Sequence, residues 1–411
     1  MSEPAAGSGI DGLHASARAA IRAIIDAAVP VVAPALAVSV WQGGRRRFEA
    51  YAGWFDPERR ARPVAWDDLW DLASLTKLFA STALLRLVAA GRVELDESIV
   101  ELVPEFGTSG PRTVDGGQDP LTWELLPTPA GRGGWRVDPA SITIRQLLTH
   151  TSGLAPWHSV FEVAGPVPPP PEAADPVSAG ARWQAALEAI GGYPFVSRPG
   201  EEVHYSDLGF MLLGVVLGRV HGAGLAAAIR ELVTEPLGLD SLTYTPLAAG
   251  RPRGTVVPTE LDARWRGRRC WGEVDDENAA GLGGISGHAG LFANADDVAR
   301  LGEAWRVRDE RLELGHSFDE AVRLQTPGLE AARGLGWQVQ PTDHLAPLGD
   351  RAYGHTGFTG TSLAVDPERE MVVAICTNRV YHGRDPAGID RLRLDLHQAL
   401  AAVVPPAGAP S

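Results

Sequence analysis

Strand-like runs stand at both ends of this 411-residue chain, and helical patterns fill the middle. Ala35 to Trp41 (ALAVSVW) and Arg47 to Trp54 read as two strands joined by a turn at Gly43-Gly44. Gly336 to Val339, Ser362 to Val365 and Met371 to Thr377 read as strands near the other end, closed by a helix from about Asp390 to Val403. Between them, helical spacing recurs over Leu75 to Ala90, Ile142 to Leu154, Ala181 to Ile190, Leu208 to Val220 and Leu225 to Glu235. The economical architecture is an α/β domain built from both termini with a mostly helical domain inserted. We place the boundaries at residues 1–73 and 240–411 for the sheet domain and 74–239 for the helical one, with the active site in the cleft between.

Two further segments interrupt this plan. Thr108 to Ala140, rich in Gly, Pro and polar residues, reads as a long irregular excursion, and Gly165 to Pro176 (GPVPPPPEAADP) as a stiff surface segment. Both are expected to border the cleft and set substrate size. No repeat is visible. In Leu75 to Ala90, Leu78, Leu85 and Ala89 fall on one face with Thr82 between them, as in an amphipathic helix.

Charge and composition narrow the function classes. The net charge of −14, with basic clusters only at Arg45-Arg46-Arg47 and Arg264 to Arg269, argues against nucleic acid or an anionic membrane as partner and leaves a small-molecule substrate. The first 29 residues have apolar spacing suited to an amphipathic helix and no unbroken apolar run, so the expectation is a cytoplasmic protein. Cys270 and Cys376 are expected as free or buried thiols. The 11 histidines form no H-E-x-x-H and no close His/Cys cluster, so no metal or other cofactor is expected. G-x-S-x-G is absent too.

One residue stands apart. The chain has 37 lysines and arginines together, and a single one of them, Lys77, is lysine. It lies in Asp71-Leu72-Ala73-Ser74-Leu75-Thr76-Lys77, one helical turn after Ser74 at a helix entry, so both side chains share a face. Serine needs a base to become a good nucleophile, and a desolvated lysine amine can serve, whereas a guanidinium stays protonated at any working pH. A lysine kept where every other cation is arginine points to a removable proton.

With "LLTHTSGL" (Leu147 to Leu154), Tyr205-Ser206-Asp207 ahead of a helix and His355-Thr356-Gly357 ahead of a strand, the chain resembles the serine hydrolases of the class C β-lactamase, penicillin-binding protein and family VIII esterase group over roughly residues 30 to 400. The resemblance implies an antiparallel sheet flanked by helices, with Ser74 as nucleophile, Lys77 as base or proton relay and Tyr205 as second acid/base group. The oxyanion hole would be the N–H groups of Ser74 and Phe358, while Asp207, His355, Thr356 and Gly357 would support or bind substrate. The glycine fits close passage of substrate backbone.

Two departures direct the expected chemistry. A carboxylate at Asp207 holds Lys77 charged and moves the base role toward Tyr205. His355, partly charged near neutral pH where relatives carry lysine, favours esters and amides over β-lactams and D-alanyl-D-alanine ends. The run Gly272 to Phe292 (GEVDDENAAGLGGISGHAGLF) resembles one in amidase-like members; Asp276, Asn278 and His288 read as loop-pinning residues, with Asn278, His288 and Trp157 as possible pocket walls. Trp337 is a second cleft candidate, His150 a capping or packing residue, and His204 either an exposed loop residue or, beside Tyr205, a cleft-lining one. The expected activity is acyl-enzyme hydrolysis of a small ester, amide or cell-wall-derived peptide. The alternatives are acyl transfer from the same intermediate, β-lactamase or D-alanyl carboxypeptidase action, and a non-catalytic ligand sensor.

Overall fold

The computed structural model describes residues 15–340 and 343–406; the first 14 residues of the N-terminal reading lie outside it. A six-stranded antiparallel sheet organises the molecule. Its strands are β1 (Ala35–Gln42), β2 (Arg45–Gly53), β3 (Gln338–Val339), β4 (Tyr353–Thr356), β5 (Ser362–Asp366) and β6 (Met371–Thr377), in the order β3-β4-β5-β6-β1-β2. The two ends of the chain therefore meet at the centre, where β1 runs against β6 from Leu36 opposite Thr377 to Gln42 opposite Met371. The β1–β2 turn works because Gly43 and Gly44 take φ of +58° and +79°, the mirror-image turn that matches strand twist and that glycine enters without steric cost.

Alternation along β1 and β6 sends side chains to two different cores. Leu36, Val38, Val40, Val373 and Ile375 pack with Ile21 and Ile25 of α1 (Ala15–Ala28) and with Leu392, Leu396 and Leu400 of the C-terminal helix Ile389–Val403. Ala37, Val372, Ala374 and Cys376 face the other way, toward the helix Ala295–Val307. That helix was not anticipated. Its periodicity is masked because Asp297 and Glu303, both buried, are held by Ser241 and Arg300 and by Arg306.

The remaining elements place the site. A 3₁₀ turn (Ala73–Leu75) leads into α2 (Thr76–Ala89). α2 is not amphipathic. From Thr76 through Leu85 every side chain is buried, Ala89 is exposed, and Thr82 is satisfied inside the core by donating to the Leu78 carbonyl (2.7 Å) and accepting from Trp305 Nε1 (2.9 Å). A helix buried all round belongs to the interior of a larger protein. The expected helix at 142–154 is only Ile144–Leu148, started by a reciprocal Thr143/Gln146 capping box. Asp207–His221 is capped by the Ser206 hydroxyl, which accepts from Gly209 N–H. Cys270 and Cys376 are both buried and unpaired. Among the described residues no single helix is long and apolar enough to cross a membrane.

Candidate active site

Ser74 opens onto a cavity of about 450 Å³ whose wall also includes Trp157, Tyr205, Asp207, His355 and Phe358. Lys77 sits beneath it, fully buried. Its Nζ donates to Ser74 Oγ (2.9 Å) and to the His288 carbonyl (3.1 Å) and forms an ion pair with Asp207 Oδ1 (2.7 Å). The ammonium also lies 4.8 Å from the centroid of the Tyr205 ring. Burial pulls the Lys77 pKa down, but the charge on Asp207 and the phenol of Tyr205 outweigh it, and the net displacement is upward.

The turn that carries Ser74 is fastened before the nucleophile is reached. Ala73 takes φ of +46°, a conformation a non-glycine residue holds only when its surroundings enforce it. The enforcement comes from Asp71, a residue the sequence reading passed over. Its carboxylate accepts from Ala73 N–H (2.8 Å) through one oxygen and from Asp275 N–H (2.6 Å) through the other. Full burial, with Asp275 nearby, raises its pKa to about 7. Two threonine hydroxyls bolt the 357–361 turn to the same segment, Thr359 to the Asp71 carbonyl (2.8 Å) and Thr361 to the Leu72 carbonyl (2.9 Å). Arg393, from the C-terminal helix, donates to the carbonyls of Gly357 and Thr361.

A Cβ at Gly357 would meet the Leu72 carbonyl at 2.6 Å and the Thr361 hydroxyl closer still, so the packing of the chain itself already requires glycine there. His355 departs from expectation. It is 1% exposed, and burial, with Lys77 and Arg333 adding to it, drives its pKa well below the ordinary histidine value. The ring is neutral near pH 7, its Nδ1–H donating to the Thr356 carbonyl (2.8 Å). Cations on the cavity wall are arginines: Arg333, whose guanidinium stands 5.5 Å from the Tyr205 ring centroid, and Arg379, Arg384 and Arg393.

His150 fixes the Tyr205 segment. Held at φ +59°, it accepts from Ser206 N–H through Nδ1 (3.0 Å), and its ring lies 4.5 Å from that of Tyr205, a positioning role rather than a helix cap. His204 is half-buried and pairs with Glu202 (3.0 Å), away from the cavity. Asn278 and His288 stand behind the wall. Asn278 ties Phe161 N–H to the His158 carbonyl, and His288 bridges Ser286 and Asp276 while its own carbonyl receives Lys77. Asp276 itself lines the cavity; burial opposes its charge, but His288 outweighs this and holds its carboxyl below the usual range. Trp337 is core, fully buried edge-on against Trp305 and Tyr353. Pro120 and Leu121 bring the 108–140 excursion to the cavity, whereas the proline-rich segment lines a separate pocket with Glu273 and Val274. Among the described residues no group of three or more His, Cys, Asp or Glu is arranged to hold a metal ion.

Comparison with known proteins identifies the family and the fold. The family model described as beta-lactamase matches residues 21–398. A candidate D-alanyl-D-alanine carboxypeptidase of Escherichia coli (strain K12) is 29% identical over 334 residues, covering 76% of this chain and 69% of its own. Among solved structures, EstCE1, described as a hydrolase with promiscuous acyltransferase activity, superposes with a TM-score of 0.66 at 20% identity, covering 94% of this chain and 98% of its own. Simvastatin synthase (LovD) from Aspergillus terreus superposes with 0.68 at 18% identity, covering 95% and 99%. At these identities the structural matches show the fold: mixed helix and antiparallel sheet, as expected.

Proposed function

The chain belongs to the beta-lactamase family and is a serine hydrolase, and from that premise we propose that it cleaves a small ester, amide or cell-wall-derived peptide through an acyl-enzyme on Ser74. The observation that carries this reading is the buried Lys77, 2.9 Å from Ser74 Oγ, ion-paired with Asp207 and lying against Tyr205. An ammonium that donates to Oγ cannot also receive its proton. Once one proton has left the Lys77–Tyr205 pair, the ammonium steadies the phenolate, and Tyr205 takes the Ser74 proton as Oγ attacks the carbonyl. Tyr205 then delivers that proton to the leaving group. In deacylation a water gives its proton to Tyr205, its oxygen attacks the acyl carbon, and Ser74 leaves reprotonated.

The N–H groups of Ser74 and Phe358, carried on the two turns bolted together by Thr359 and Thr361, are the oxyanion donors; each such donor is worth about 2.7–4 kcal/mol where one has been removed by mutation. The neutral His355 supports ester and amide substrates, since it offers no fixed charge to a substrate carboxylate. A second reading, D-alanyl carboxypeptidase action, is favoured by Arg333 on the cavity wall and by the name of the bacterial relative. Acyl transfer is a third outcome of the same intermediate. Two buried, unpaired cysteines fit a reducing compartment, which subcellular fractionation would test.

The test is intact-mass spectrometry after exposure to a fluorophosphonate or an activated ester. We expect one adduct, on Ser74, absent from Ser74→Ala; an unmodified protein would refute acyl-enzyme chemistry. Turnover of p-nitrophenyl esters, nitrocefin, N-acetylmuramyl-L-alanine and a D-alanyl-D-alanine peptide, with and without an acceptor alcohol, separates the readings.

A further inference from the structure

The tip of the 108–140 excursion is a rigid knuckle. The Asp119 carboxylate accepts from the N–H groups of Leu121 (2.8 Å) and Thr122 (2.7 Å), and Trp123 N–H returns to the Asp119 carbonyl (2.8 Å). Arg264 grips the same turn from outside, donating to the carbonyls of Leu121 (2.9 Å) and Thr122 (2.8 Å) while its guanidinium lies 3.4 Å from the Trp123 ring centroid. Trp123 in turn stacks on Trp157 and meets Phe161 edge-on. Backbone and ring are both anchored, so this segment is a wall with a fixed shape.

That wall presents Leu121 to the cavity, 59% exposed. Phe358, next to His355-Thr356-Gly357, is 40% exposed on the same cavity and lies near the guanidinium groups of Arg379 (4.9 Å) and Arg384 (5.6 Å). Of the large apolar side chains that are exposed among the described residues, Leu121 and Phe358 are the two that line this cavity. Apolar surface held rigidly beside a reactive hydroxyl favours a ligand that removes it from water, and rigidity keeps the ordering cost of binding small.

We infer that Leu121 is a specificity-determining residue and that, together with the Phe358 ring, it receives an aliphatic or aromatic group attached to the scissile ester or amide. The substrate class is thereby narrowed, among small esters, amides and peptides, to apolar acyl or alkyl derivatives. The inference rests on the reading of Ser74 as the acylated residue.

The test is kcat/KM for p-nitrophenyl acetate, butanoate and hexanoate, in which the acyl group grows, and for the acetates of ethanol and hexanol, in which the alcohol grows. We expect a preference of about tenfold or more for the six-carbon member in one of the two series, which also assigns the apolar group to the acyl or the alcohol side. Leu121→Ser should reduce that preference about tenfold, and Arg264→Ala, which frees the knuckle, should reduce it too. Leu125→Ser, on the same knuckle but off the cavity, should keep the wild-type preference. A flat response in both series, or a preference unaltered by Leu121→Ser, overturns the inference while Ser74 still labels with fluorophosphonate. Failure of Ser74 to label overturns the acyl-enzyme reading itself.

Discussion

At Lys77 the chain holds a cation that arginine cannot imitate. The space around Nζ is closed by Ser74, Asp207 and the His288 carbonyl, and a guanidinium is both larger and permanently charged. Lys77→Arg should therefore lower the acylation rate by about a thousandfold or more despite the conserved charge, read by stopped-flow or by time-resolved mass of the adduct. Asp207→Asn tests the electrostatics. Asp207 raises the Lys77 pKa, so its neutralisation should move the alkaline-rising limb of the acylation rate to lower pH, a shift that belongs to the Lys77–Tyr205 pair as a unit. The same change leaves a buried ammonium without its counter-charge and should cost about 3–5 kcal/mol in urea denaturation. Ser74, Lys77, Tyr205 and His355 were legible as residues because their chemistry depends on residue type and order along the chain. The charge state of His355 was not, because burial and a neighbouring Arg333 are set by parts of the sequence far from the motif.

Short elements, rather than long ones, hold this site in register. The two-residue strand Trp70–Asp71 pairs with Leu291–Ala293 and delivers Asp71 to a junction of the nucleophile turn, the 357–361 turn and the Asp275 backbone. No periodicity can reveal a strand of two residues, and a lone acid before an apolar run reads as a solvent-facing side chain unless its backbone partners are known. The helices Ala179–Ile190, Asp207–His221 and Ile389–Val403 fell within two residues of their expected limits because their apolar spacing and caps are local. Asp71→Asn would set an amide against a backbone N–H. We expect kcat to drop about tenfold with KM little changed, since the oxyanion donors move while the cavity wall does not. Asp71 also carries a pH signature. Its folded pKa, about 7, lies above the unfolded value of about 3.9, so its contribution to stability is fully present below the unfolded value and lost as pH rises through 7. Comparing denaturant midpoints at pH 5 and pH 8 should show that this part of the slope is missing from Asp71→Asn.

For the molecule as a whole, the central pairing of β1 with β6 makes one sheet from the two ends of the chain. The proline-rich stretch from Gly165 to Pro176 is largely exposed and contributes no strand to that sheet. A protease site introduced there and cut in the folded protein should leave two fragments that co-elute on size exclusion and retain most of the esterase activity, because β1 of one fragment remains hydrogen-bonded to β6 of the other, with β2 held on its far edge. Dissociation of the nicked protein under native conditions would show that the strand pairing alone does not hold the ends together.

The threonine bolts between residues 359 and 71 and between 361 and 72 span sequence separations of 288 and 289. Their consequence lies in time rather than in space. The nucleophile turn emerges from the ribosome well before the turn that complements it and before Arg393 that braces it. Contacts of such range form late in folding. A chain cut short before residue 357 would carry Ser74 and Lys77 without a developed oxyanion site, so acylation of Ser74 reports that the 357–361 turn has docked on the nucleophile turn.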